Sequence, residues 1–135
     1  MAETLSYTDL ETIVTNLNSI YLMAKTLHWE SLGYSDHLLY DRIADGIQDD
    51  IDAVMEAAFL PFYELKIGKN IIVNSVPSNT DATALLSYIE GTIDLIEKTL
   101  DDNSVLEGVK NILSNVSNNL LVKQMLVRKN LQKKL

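Results

Sequence analysis

Both prolines of this 135-residue chain, Pro61 and Pro77, lie in one stretch that runs from Pro61 to Asn79. Proline has no backbone N–H and its ring clashes with the turn before it, so a helix cannot pass through it undisturbed. The chain on either side is free of that obstacle, and both flanks carry apolar residues at three- and four-residue spacing. A first helix is predicted from about Thr8 to Leu32, with Leu10, Ile13, Val14, Leu17, Ile20, Tyr21, Ala24 and Leu27 on one stripe. Gly33 stands where that helix should stop, and Ser35 is placed to cap the next. A second helix is predicted from about Asp36 to Leu60, with Leu39, Ile43, Ile47, Ile51, Val54 and Ala58 facing inward.

The stretch PFYELKIGKNIIVNSVPSN shows no helical period and reads as an extended connection. A third helix follows over about Asp81 to Leu100, striped by Leu85, Ile89, Ile93, Ile96 and Leu100. Ser104 and Glu107 form a capping-box pattern for a fourth helix, which carries Leu106, Val109, Leu113, Val116, Leu120 and Val127 and reaches about residue 132. The order is tight link, long link, tight link. A nineteen-residue link can travel the length of a bundle, so the second and third helices can run parallel. One long crossover between them is the ferritin-like four-helix topology, here expected as a single all-α domain over residues 1–135.

Composition narrows the class of protein. The chain has no cysteine, which excludes a disulfide scaffold and thiolate metal sites and suits a cytoplasmic protein. Its amino terminus, MAETLSYTDLE, lacks the basic start and apolar run of a secretory signal, and no apolar run is long enough to span a bilayer. Residues 1–107 hold all nineteen acids against five bases, whereas residues 108–135 hold six bases and no acid. The acidic body disfavours nucleic acid. Lys123, Arg128, Lys129, Lys133 and Lys134 could touch phosphate, but cations near a helix carboxyl end more often complement its dipole, so weak or absent DNA binding is expected.

The only two histidines, His28 and His37, flank the turn between the first two helices. Helices joined so tightly are antiparallel neighbours, which brings the two imidazoles level. Asp41 lies one turn beyond His37 on the same face. Two imidazoles and a carboxylate suit a borderline divalent metal, Fe(II) or zinc. The plainer alternative is that His28 continues the apolar stripe and bonds a backbone carbonyl, while Asp41 pairs with a surface base. Asp52 and Glu56 form a second pair one turn apart. In a continuous helix they share an arc of about 100° with His37 and Asp41, but eleven residues put Asp52 roughly 16 Å from Asp41. A two-fold partner would resolve this, with 37 meeting 56 and 41 meeting 52 about a crossing at Gly46 and Ile47. Glycine there would permit close approach, or be merely tolerated at about 1 kcal/mol.

The segment AKTLHWESLGYSDHLLYDRIADGIQDDIDAVME resembles the signature of the Dps family of mini-ferritins. It carries an HW pair, His28-Trp29, ending one helix; a His-x-x-x-Asp pair, His37 and Asp41, opening the next; and Asp52-x-x-x-Glu56 eleven residues on. The turn is about three residues shorter than that family's, and the basic amino-terminal arm of some members is missing. The resemblance implies that His28, His37 and Asp41 bind iron with Asp52 and Glu56 of a two-fold mate, Trp29 lying beside the site. It also implies Fe(II) oxidation, often by peroxide, and ferric storage in a hollow homo-dodecamer. The alternatives are a ferritin-like assembly module that does not mineralise iron, and a metal-binding sensor.

Overall fold

The computed structural model of the chain describes residues 7–59, 61 and 80–133, all helix and turn with no strand among them. The link expected from Pro61 to Asn79 lies, Pro61 apart, outside these residues, as does the side chain of Ala58. Helix α1 spans Tyr7–Glu30, α2 Tyr34–Ala44, α3 Ile47–Val54, α4 Ala82–Leu100 and α5 Glu107–Lys133. A π-helical turn, Met55–Phe59, extends α3.

The periodic stripes become the core. Leu10, Ile13, Leu17 and Ile20 of α1 meet Ile43 and Ile47 of the second segment, Leu85, Ile89 and Ile96 of α4, and Leu113 of α5, all without solvent exposure. Each such side chain contributes about 1.5–3 kcal/mol, so the stripe together outweighs the caps and surface pairs. Leu106 departs from its predicted inward place and is 39% exposed.

Hydrogen bonds between helices give their directions. Along α5, Asn119, Lys123 and Asn130 reach Asp50, Ile43 and Tyr40 in turn, so α5 runs antiparallel to α2 and α3. Ser117 and Gln124 reach Glu97 and Glu90, so α5 is also antiparallel to α4. It follows that α4 runs parallel to α2 and α3. Helix α1 packs on α2, α3 and α4, which closes a four-membered bundle.

The predicted second helix is not continuous. It breaks at Asp45, which is extended, and Gly46, whose φ of 82° lies in the left-handed region. A side chain there would strain the backbone, which glycine avoids. The break strands carbonyls at the end of α2, and Lys123 of α5 takes them up. Its Nζ donates to the carbonyls of Ile43 at 2.8 Å, Asp45 at 2.6 Å and Arg42 at 3.4 Å. Lys123 is only 8% exposed, so it is not the phosphate-facing residue that the basic tail suggested.

Two predicted caps also differ. Helix α2 begins after Gly33 with no side-chain cap, so Ser35 does not serve. Before α5, the Ser104 hydroxyl and amide both donate to Asp102 Oδ1, at 2.7 and 2.9 Å, and the Ser104–Glu107 box is not formed. These two bonds hold the exposed Asp102 carboxyl below its ordinary range. The start of α4 is capped by Asp81, whose Oδ1 accepts from the Ala84 amide at 2.7 Å. Asp81→Ala should therefore destabilise the protein by about 1 kcal/mol in urea unfolding, whereas Asp81→Ser should keep most of the cap.

Candidate functional site

The turn between α1 and α2 is closed by two histidines that bond each other's backbone. His28 Nδ1 lies 2.6 Å from the carbonyl of His37, and His37 Nδ1 lies 2.9 Å from the carbonyl of His28. A carbonyl can only accept, so each Nδ1 is the N–H donor, and the Nε2 lone pair of a neutral imidazole is left over. The rings stack with centroids 3.8 Å apart and 27° between their planes. The register follows from position: His28 ends α1, His37 lies in the first turns of α2, and the short turn between them forces the helices antiparallel.

Asp41 lies one turn along α2, with Oδ1 at 4.0 Å from His28 Nε2. Its nearer partner is Lys25, whose Nζ is 3.1 Å from the same oxygen. That hydrogen bond and charge, with lesser help from the two histidines, hold the Asp41 carboxyl below its ordinary range against a small opposing effect of burial. Both predicted alternatives are thus present in part: the imidazoles do bond backbone carbonyls, and the aspartate does pair with a base. A metal-binding histidine also commonly donates its other ring N–H to a backbone carbonyl, as both imidazoles do here.

The structure brings His28, His37 and Asp41 together. Asp52 on α3 and Glu56 in the π-helical turn are both exposed and lie beyond the break at Gly46. Within one chain, no group of three or more His, Cys, Asp or Glu among the described residues is placed to hold a metal ion. Trp29, Leu32 and Tyr34 stand 68%, 104% and 77% exposed around the histidines. A cleft of about 450 Å³, lined by Tyr21, Lys25, Leu38, Asp41 and Asp49 among others, opens on the Asp41 side.

Lys25 belongs to the same register as the histidines. If residue 28 is level with 37 across an antiparallel pair, residue 25 is level with 40 or 41. Lys25→Met should let the Asp41 carboxyl rise toward its ordinary value, while Lys25→Arg should keep it low, as read by carboxyl NMR titration. The sign for stability follows. Asp41 is depressed in the folded state, so its contribution is complete above its unfolded value of 3.8 and is lost as pH falls through the lower folded value. No protein-family model, curated protein or solved structure matches this chain, so the chemistry of the site is read from its own residues.

Proposed function

We propose that this chain is a Dps-like mini-ferritin, a ferritin-like bundle that oxidises Fe(II) at a site shared between two subunits and stores the ferric product in a closed homo-oligomer. The observation that carries this reading is the reciprocal bonding of His28 and His37, which leaves a lone pair on each Nε2, that of His28 lying 4.0 Å from the Asp41 carboxylate. Two nitrogens and one oxygen suit Fe(II) as substrate, with zinc as a substitute. They make half a site. Asp52 and Glu56 of a two-fold mate would supply the remaining oxygens, and acidic ligands favour the ferric product over the ferrous substrate.

In this reading Fe(II) displaces the Lys25 ammonium from Asp41, and one imidazole turns out of the 27° stack so that both Nε2 lone pairs can face one ion. Two Fe(II) ions give one electron each, which matches the two-electron reduction of peroxide to water. Trp29 would lie beside the site. A shell of about twelve subunits would gather such sites around a cavity. The second reading, a ferritin-like assembly or sensor module that does not mineralise iron, draws on the Lys25–Asp41 pair, because that cation already neutralises the carboxylate.

In either case we infer that binding to nucleic acid is weak or absent. The body carries nineteen acids against five bases over residues 1–107, and Lys123 is removed from the basic tail by burial. A gel shift at 150 mM salt should leave duplex DNA free, and tight retention independent of length would reverse this assignment.

The shared site is tested with two broken chains, one His28→Ala with Asp41→Ala, the other Asp52→Ala with Glu56→Ala. Neither homo-oligomer should oxidise Fe(II) quickly. Co-assembled at random, half the dimers are mixed and each regains one site of two, so about a quarter of the unmutated rate should return. Rescue no better than the mean of the two parents would mean that the ligands do not meet across a two-fold axis.

A further inference from the structure

The break in the second helical segment leaves two groups in an unusual state, and both face Lys123. In an uninterrupted helix the carbonyls of Arg42, Ile43 and Asp45 would accept from the amides of Gly46, Ile47 and Asp49. Here all three accept instead from the Lys123 ammonium, which has three N–H donors and so has none left. One turn past the break, Asp50 is 8% exposed. Its Oδ1 accepts from Asn119 Nδ2 at 3.0 Å, and its Oδ2 is buried without a hydrogen-bond partner. An unpaired buried carboxylate oxygen is costly, so something must compensate it or be ready to. Lys123 follows Asn119 by one turn on the same face of α5, and its charge and that of Asp50 act on each other. A cleft of about 300 Å³ lined by Gly46, Asp50, Asn119 and Lys123 gives the side chain room to move.

We propose that Asp45–Gly46 is a two-state junction latched by Lys123. In the bent state, the one described above, the ammonium holds the three stranded carbonyls and Asp50 Oδ2 goes without. In the straight state Gly46 turns to helical φ, the carbonyls re-pair along the helix, and the released ammonium moves to Asp50 Oδ2. The straight state satisfies every group that the bent state leaves short. The bent state retains three charge-assisted bonds to one cation and a glycine for which the left-handed turn is no strain. No atom is gained or lost in the exchange; one lysine changes acceptors.

The consequence for iron rests on the proposed function. In a straight helix, eleven residues turn through about 1,100°, which places Asp52 within about 20° of Asp41 on one face. The bend removes that common frame. Pairing of 37 with 56 and 41 with 52 across a two-fold axis therefore selects the straight state, and assembly of the site draws Lys123 off the carbonyls.

The junction is tested without iron. The chain has no cysteine, so spin labels at Tyr34→Cys and Asp49→Cys report a single intrachain distance when labelled chain is diluted in excess unlabelled chain. Lys123→Met and Gly46→Ala should each shift that distance to the straight-helix span of about 22 Å, while Asp50→Asn, which weakens the second acceptor, should hold it at the bent value. The methyl added by Gly46→Ala meets nothing within 4 Å, so its cost in the bent state is the backbone strain of a side chain at φ 82°, which straightening relieves, and this variant decides the matter if Lys123→Met does not fold. An unchanged distance in Gly46→Ala overturns the junction. A straightened Gly46→Ala chain that takes up and oxidises Fe(II) no faster than the parent keeps the junction and severs its link to the site.

Discussion

Lys123 directs one ammonium at three carbonyls from the end of α2, and the course of the second helical segment depends on that contact. A helix interrupted inside a bundle exposes polar backbone to a dry interior, where each unpaired group costs about 1–3 kcal/mol. A single cation with three donors meets the need in a small volume. The same burial lowers the tendency of Lys123 to hold its proton and raises that of Asp50, each group being partly offset by the other's charge. The sign differs for the two. The Asp50 penalty is present at neutral pH and is relieved as pH falls through its raised value. That of Lys123 is relieved as pH rises through its lowered value.

The histidine turn obeys the same rule in a different place. His28 and His37 cross-bond their backbones at the mouth of the α1–α2 turn, and each bond fixes the orientation of one ring. What remains is a lone pair on each Nε2, that of His28 near the carboxylate that Lys25 pairs with, and a rim of exposed Trp29, Leu32 and Tyr34. Two imidazoles next to a loosely paired carboxylate are a sensible starting point for capturing a metal ion. They serve equally to pin a turn. The difference between the two uses lies in whether acids from another subunit arrive.

Much of the bundle could be read in advance. The stripes of α1, α4 and α5 became the core because a three-and-four spacing leaves one face apolar whatever the neighbours are. The level pairing of His28 with His37 followed from a short turn alone. The sequence also carries signals of buried charge. Asp50 and Lys123 occupy stripe positions, between Ile47 and Val54 and between Leu120 and Val127, where a charge must find a buried partner. Lys25 sat in the same register as Asp41. The capping predictions at Ser35 and Ser104 failed because several hydroxyls and carboxylates near a helix start can serve, and local competition among them chooses.

By itself the sequence determined where helices are possible, which faces are apolar, and which helices must be antiparallel, since periodicity, proline and turn length act within a few residues. The break at Gly46 was beyond its reach. A glycine in a helical pattern is compatible with both a straight and a left-handed conformation, and the energy between them is small. The tertiary structure decided it, because Lys123 arrives from a helix some eighty residues away and supplies to the broken backbone the bonds that a continuous helix would have made for itself.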